Sequence, residues 1–330
     1  RQNTAFYADV EYAMGDALLL QFAARSEDFS DFGATSNIKV AGRYSFGDLA
    51  TLRGGYSTGF RAPTPGQSNY TGIVTSFDGP TGMQVQEGTV RPDDPLAVAL
   101  GGALLVPEEA TNTSFGFTTS PIDNLSLTFD MYTIDIVNKI IKSRSLPVEN
   151  NPEFKKLAFY TNALDTETSG FDLVLTYRMG DTNLDLAMNH NETKMVEHRK
   201  IGPDQLDPIS TGLIDNIENN LPKDRITATV TQNFGDALSL MVRLNNYSET
   251  LDERGTLGDD KSTVDAISFI DVELSYAVSN NLNVVFGANN VTNAYPNEIP
   301  TRASQGMPYP RRSPLGYHGG MTYIRLMYDF

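Results

Sequence analysis

The residues with most chemistry in them are few and scattered. Two of the three histidines, His190 and His198, flank Glu192 near the start of a long polar segment. Imidazole and carboxylate are zinc donors, but a zinc site wants them two or four positions apart on a defined element. Asp252, Glu253, Asp259 and Asp260 place four carboxylates in one loop, the donor type of a calcium site. Solvated charge is the simpler reading of that loop. Tyr309-Pro310-Arg311-Arg312-Ser313-Pro314 offers two guanidiniums to an anionic ligand or a lipid phosphate. Arg61 ends an alternating stretch, Gly59-Phe60-Arg61-Ala62-Pro63, and Tyr70 follows it in a polar segment. Arg61, Tyr70, Arg311 and Arg312 are therefore the ligand-binding candidates, with no metal and no cofactor expected. No Ser/His/Asp constellation, phosphate loop or hydrolytic carboxylate pair stands out, which speaks against an enzyme.

Composition narrows the classes. The 330 residues contain no Cys and no Trp, and the net charge is -16. Without Cys there are no disulfides and no thiolate metal sites. An acidic chain lacks the basic footprint of a nucleic-acid binder. No stretch approaches the run of about 18 apolar residues that a transmembrane helix needs. The chain opens at Arg1 directly into a strand-like pattern, so Arg1 is not expected to be a natural start.

The elements that must position these residues alternate with a period of two. Phe6, Ala8, Val10 and Tyr12 oppose Tyr7, Asp9 and Glu11, and the closing stretch sets Thr322, Ile324, Leu326, Tyr328 and Phe330 against Tyr323, Arg325, Met327 and Asp329. About thirteen such strands can be marked. Their connections have a rhythm. Gly15-Asp16, Gly47-Asp48, residues 121–124, Gly180-Asp181, Gly235-Asp236 and Asn280-Asn281 are short turns. Longer connections fall between them, at residues 26–34, 60–110, 139–160, 192–222, 249–264 and 293–318. The segment 60–110 is Gly- and Pro-rich and reads as structureless. Short turns at one end and long loops at the other are the asymmetry of an outer-membrane barrel.

The two faces differ in chemistry. Ile226, Val230, Leu240, Val242, Val272, Leu274, Val284, Phe286, Ile324 and Leu326 are expected to face lipid. Asp172, Arg178, Arg243, Asp271, Glu273 and Arg325 are expected to face a wet lumen. The fold class is thus all-β, an antiparallel transmembrane β-barrel. A terminal Phe330 in the apolar phase must be embedded, since free chain ends fray.

Several stretches resemble the TonB-dependent outer-membrane receptors. Tyr56-Ser57-Thr58-Gly59-Phe60-Arg61-Ala62-Pro63-Thr64 is similar to the family's strand ending in Gly-Phe-Arg-Ala-Pro. In this segment Gly59 would allow a bend or bulge, and Pro63 would end the pairing. Val106-Pro107-Glu108-Glu109-Ala110-Thr111 resembles the Pro-Glu that opens the next strand, although Phe115-Gly116 departs from the usual continuation. Thr161-Asn162-Ala163 ahead of Ser169-Gly170-Phe171-Asp172-Leu173 resembles a further strand, with Asp172 for the commoner Glu. Gly287-Ala288-Asn289-Asn290-Val291-Thr292-Asn293 resembles the segment near the C-terminus. Ile324, Leu326, Tyr328 and Phe330 match the assembly signal.

The resemblance implies about 13 of about 22 strands, with residues 1–330 as the C-terminal part of the barrel and the plug domain and N-terminal strands lying before Arg1. It implies short periplasmic turns, long extracellular loops and a bacterial outer-membrane location. It also implies energy-coupled uptake of a scarce solute, such as a ferric siderophore. The implied partners are the TonB energy-coupling complex through the plug, outer-membrane lipid and lipopolysaccharide, and the barrel-assembly machinery. A passive porin-type channel, or a receptor for carbohydrate or cobalamin, is the alternative. The first strand and the last are expected to leave the sheet open.

Overall fold

The computed structural model describes all residues except 78–81, 150, 152–153, 254–260, 301–305, 307 and 330. Alternation becomes one sheet. Its strands are β1 (Asn3–Met14), β2 (Leu18–Phe29), β3 (Gly33–Phe46), β4 (Ala50–Arg61), β7 (Glu108–Ile122), β8 (Leu125–Lys142), β11 (Tyr160–Met179), β12 (Thr182–His198), β13 (Asp224–Phe234), β14 (Leu238–Tyr247), β17 (Ile267–Ser279), β18 (Leu282–Asn289) and β19 (Met321–Tyr328). All thirteen lie in chain order and pair antiparallel with the next. Among the described residues β1 pairs only with β2, and β19 only with β18, so the barrel is partial and open at both edges. Phe330 lies outside the described residues.

Pairing register sorts the faces as the period predicts. Val230 lies opposite Val242, Val242 opposite Val272, and Leu240 opposite Leu274. Leu274 lies opposite Phe286, and Phe286 opposite Ile324. Among the described residues no second sheet packs on this row: Leu274, Phe286, Ile324 and Leu326 are all exposed. Asp271, Glu273 and Arg325 fall in the other phase, opposite Arg243, Met241 and Val285. The tight turns rest on Gly15, Gly47, Gly180 and Gly235, all at φ between 58° and 63°, where a side chain would be strained.

Two readings of the connections need correction. Residues 26–34 are not a loop: the β2–β3 ladder runs on to Phe29 opposite Gly33, leaving a three-residue turn. Loop length therefore does not alternate strictly. Polar Ser26, Asp28, Thr35 and Ser36 hid this extension from a hydrophobic pattern. Residues 60–110 are not structureless either. They hold α1 (Pro65–Asn69), β5 (Gly72–Phe77), β6 (Gln84–Thr89) and α2 (Pro95–Ala99). The next long connection supplies β9 (Leu146–Pro147) and β10 (Phe154–Ala158), and β10 pairs in parallel with β6. The two loops thus share one four-stranded sheet, order β5-β6-β10-β9. Val90, Ala97, Leu146, Phe154, Leu157 and Phe159 form its dry core. Burial of six such side chains stabilises what local pattern could not announce. Farther on, α3 (Thr211–Asn219) packs Leu213, Ile214 and Ile217 against buried Ile141, Leu164 and Ile209. A short hairpin, β15 (Thr250–Glu253) with β16 (Lys261–Val264), lies beside α3.

Candidate functional site

The strand motifs meet in space. Arg61 ends β4 and lies directly opposite Glu108, which opens β7. Its Nε donates to Glu108 Oε2 at 2.7 Å, and a second guanidinium nitrogen bonds the other oxygen. Glu108 is almost fully buried and also accepts from Ile140 N–H at 2.7 Å. The pair therefore clasps β4, β7 and β8 where they leave the sheet. A bidentate guanidinium–carboxylate pair is among the stronger hydrogen-bonded units. Phe60 lies against Phe29 and Phe32. Gly59 makes no bulge, since it pairs regularly with Ala110 in an unbroken register. The ladder stops at Arg61, two residues before Pro63.

A second knot sits on β8, β11 and β12. Asn162 bridges Val106, accepting its N–H at 3.0 Å and donating to its carbonyl at 2.9 Å. It also donates to the carbonyl of Asn138, a residue at φ 56°. Asp165 accepts from Asn138 N–H at 2.8 Å and takes both nitrogens of the Arg199 guanidinium at 2.8 Å each. Those bonds from Arg199 hold the Asp165 carboxyl below the usual carboxylate range, against the opposing effect of partial burial. Both groups stand above the apolar rows, toward the long-loop end. In the last long connection Asn290, at φ 52°, closes its own turn by accepting from Ala294 N–H and donating to Ala294 carbonyl.

Of the remaining candidates, Tyr70, Arg311 and Arg312 fall in the loops, whereas His190, Glu192 and His198 lie on β12, which runs past the expected start of the long connection at residue 192. Arg311 pairs with buried Asp252 and donates to the Glu253 carbonyl at 2.8 Å. Arg312 donates to Asn216 of α3. Together they join the last long loop to the β15–β16 hairpin and to α3. Tyr70 caps α1 and is exposed. Among the described residues no hydrogen bond or ion pair joins Arg61, Tyr70, Arg311 and Arg312 to one another. Among the described residues no cluster of three or more metal-type donors forms. His190 bonds Asp224 at 2.7 Å, Glu192 bridges Lys194 and Lys223, and His198 faces Asp207. Asp259 and Asp260 lie outside the described residues.

Sequence reasoning missed a device on the polar face. Arg53 crosses Gly116 on the intervening strand and reaches Asp130, with Nε to Oδ1 at 2.8 Å. Tyr132 crosses Gly170, and its hydroxyl accepts from Asn191 at 2.7 Å. Tyr323 crosses Gly287, and its hydroxyl donates to Glu273. In each case an added Cβ on the glycine would collide with the crossing chain or its partner. The signal in sequence is a glycine in the polar phase of a strand, but its partners lie on other strands.

This arrangement holds loops over one end of a strand wall. Comparison with known proteins identifies the wall. A profile of the family described as TonB dependent receptor-like, beta-barrel matches residues 1–291. The chain belongs to this family. Its members are outer-membrane barrel proteins, and the exposed apolar rows fit a lipid-facing surface. A search of curated sequences finds no match. Solved structures share the fold at low identity. The siderophore receptor PirA from Acinetobacter baumannii aligns at TM-score 0.67 and 16% identity, over 99% of this chain and 46% of that one. A mutant of the ferric enterobactin receptor PfeA from Pseudomonas aeruginosa aligns at 0.71 and 16%, over 99% and 45%. The iron transporter FrpB from Neisseria meningitidis aligns at 0.65 and 14%, over 99% and 46%. The chain thus spans less than half the length of these relatives.

Proposed function

We propose that this chain is the C-terminal part of the barrel of an outer-membrane receptor that imports an iron complex of siderophore type. On this reading, an N-terminal plug and the earlier strands complete the protein, and the plug couples it to the TonB complex. The long-loop end faces the medium, the short turns face the periplasm, and lipid and lipopolysaccharide surround the apolar rows. The barrel-assembly machinery would insert it through the last strand, Ile324, Leu326, Tyr328 and Phe330.

The observation that carries the reading is the joined loop end. Arg61–Glu108 and Asp165–Arg199 tie neighbouring strand ends at the long-loop end, and Arg311–Asp252 joins the last long loop to the β15–β16 hairpin, so that the loop bases form a crown. A passive pore has no need of loops anchored this way, whereas a receptor must hold a capture surface in shape. That the similar solved proteins bear siderophore and iron names supports the choice of solute class. The test is growth complementation with the full gene in a receptor-deficient strain. Rescue is expected under iron limitation. Rescue only under carbohydrate or cobalamin limitation would move the solute to that class. Permeation of small sugars without an energised membrane would point to a porin.

A further inference from the structure

The outward face of the wall carries a crevice of about 340 Å³ at the long-loop end of β3, β4, β7 and β8. That is the size of a small-molecule site. Its origin is a parting of two strands. β3 stays paired with β2 as far as Gly33, and β4 stays paired with β7 as far as Arg61. The ladder between β3 and β4 nevertheless stops at Lys39 opposite Ser57. Beyond that point Ile38 N–H donates across the gap to Thr58 Oγ1 at 3.0 Å. Higher still, Phe60 reaches Phe29 and Phe32 of the β2–β3 hairpin.

The crevice faces away from the lumen. Thr58 lies opposite Thr111, Thr111 opposite Asp135, and Asp135 opposite Glu167. Asp135 shares its face of β8 with Phe129, and the ladder runs from Phe129 through Leu173 and Met188 to Ile226 in the lipid-facing phase. A plug fills the lumen and does not reach this side. β1 and β2 stand between the crevice and the open edge of the sheet. Its level follows from strand length. Asp135 is the eleventh residue of β8, and about 9–11 residues cross a bilayer. The crevice therefore opens just above the hydrocarbon, where parted strand edges are tolerated.

Ser36, Thr58 and Thr111 bring hydroxyls to the crevice, Glu109 and Asp135 bring carboxylates, and Phe60 brings an apolar wall. Among the described residues neither Glu109 nor Asp135 is held in an ion pair. Ionised carboxylates only accept hydrogen bonds, so they call for donors such as hydroxyls. Glu167 beside Asp135 keeps the neighbourhood anionic, which turns a bare phosphate away. We propose that the crevice seats a sugar of the lipopolysaccharide headgroup layer. Glu109 and Asp135 accept from its hydroxyls, Thr58 and Thr111 meet others, and Phe60 gives the ring an apolar contact. The proposal rests on the outer-membrane placement of the chain and not on which solute it imports.

The test is calorimetric titration of the full-length protein in detergent with the oligosaccharide left when lipopolysaccharide is stripped of its acyl chains. The same oligosaccharide without its phosphates, maltose, and inorganic phosphate are titrated in parallel. Saturable oligosaccharide binding is expected, as tight or tighter once the phosphates are removed. Asp135→Asn and Glu109→Gln should each weaken it at least fivefold. Ala34→Phe, at an exposed position lining the crevice, should abolish it with both carboxylates in place. Heat-modifiable gel mobility checks that each variant folds. Absence of saturable oligosaccharide binding in the wild type overturns the proposal. So does binding that Asp135→Asn and Ala34→Phe leave unchanged in folded protein, or inorganic phosphate binding as tight as the oligosaccharide's. Maltose binding of equal strength would make this a site for free sugars and overturn the lipid assignment. Equilibrium binding is read separately from growth under iron limitation, so either reading can fail alone.

Discussion

The two ends of β11 obey different rules. From Phe171 to Met179 the strand is a plain ribbon: apolar and polar residues alternate, and none is fully buried. From Thr161 to Thr166 the same strand buries Thr161, Ala163, Leu164 and Thr166, and between them Asp165 holds Arg199. Length tells the same story. β8, β11 and β12 have 18, 20 and 17 residues, while β18 and β19 have 8. About 9–11 residues suffice to cross a bilayer. The surplus on the central strands rises past the apolar rows and carries the crown. A periodic pattern specifies the ribbon, whereas particular partners specify the crown.

The largest expected effect lies in the ribbon. Leu274→Arg puts a cation into the apolar row between Leu240 and Phe286. Near the bilayer midplane such a change costs about 2–4 kcal/mol. The full-length variant should show a marked loss of heat-modifiable barrel in outer-membrane fractions. Normal levels would mean that this row does not face lipid, and the ribbon would lose its defining property.

Next in size is Gly170→Ala, still in the ribbon but on the polar face. The new methyl would collide with the His190 carbonyl oxygen and stand 2.7 Å from the Tyr132 hydroxyl. Overpacking of this kind costs about 1–3 kcal/mol. Tyr132→Phe in the same background should not restore stability, because the backbone oxygen remains in the way. Full rescue by Tyr132→Phe would place the whole strain on the crossing side chain. Thermal unfolding followed by gel mobility measures both.

For the crown, Glu108→Gln keeps an acceptor for Ile140 N–H but removes the charge facing Arg61. The loss should be about 1–2 kcal/mol, held down because Arg61 is half exposed. Protease sensitivity should rise in the loops and leave the ribbon intact. Equal sensitivity of both regions would mean that they unfold as one unit.

Acid should separate the regions as well. The Asp165 carboxyl lies below its usual range because Arg199 bonds it. Its contribution is fully present above the unfolded value, about 3.9, and is lost as pH falls through the lower folded value. Loop protease sensitivity should therefore rise in acid below about pH 4, and Asp165→Asn should flatten that rise. An unchanged acid response in Asp165→Asn would assign it to other carboxylates.

The same division explains what the sequence disclosed. Alternation at Leu240, Val242, Val272 and Leu274 needs only the chain itself, so the ribbon, its turns and its faces could be read directly. Arg61 and Glu108 were both visible as motif residues, 47 positions apart, but not as partners. Their pairing is set by a register across two strands and a long loop. Arg311 and Arg312 looked free for a ligand because their partners, Asp252 and Asn216, lie 59 and 96 positions away. The sheet shared by β6 and β10 was invisible for the same reason: neither half is stable without the core that the other supplies.

The smallest expected effect tests whether any part of the crown-side wall is reserved for something outside this chain. Gly59 lies in the polar phase of β4, two residues before Arg61. An added Cβ there would meet nothing within 4 Å, and its φ lies outside the left-handed region. Glycine gives a strand no packing and has more freedom to lose on folding than alanine. Gly59→Ala should therefore leave stability unchanged or raise it by about 0.4–1 kcal/mol. Uptake by the full-length protein should also be unchanged. A folded, fully inserted Gly59→Ala protein with impaired uptake would require a ligand or another segment to approach this bare patch of backbone. The glycine would then belong to the crown's function and not to the ribbon's construction.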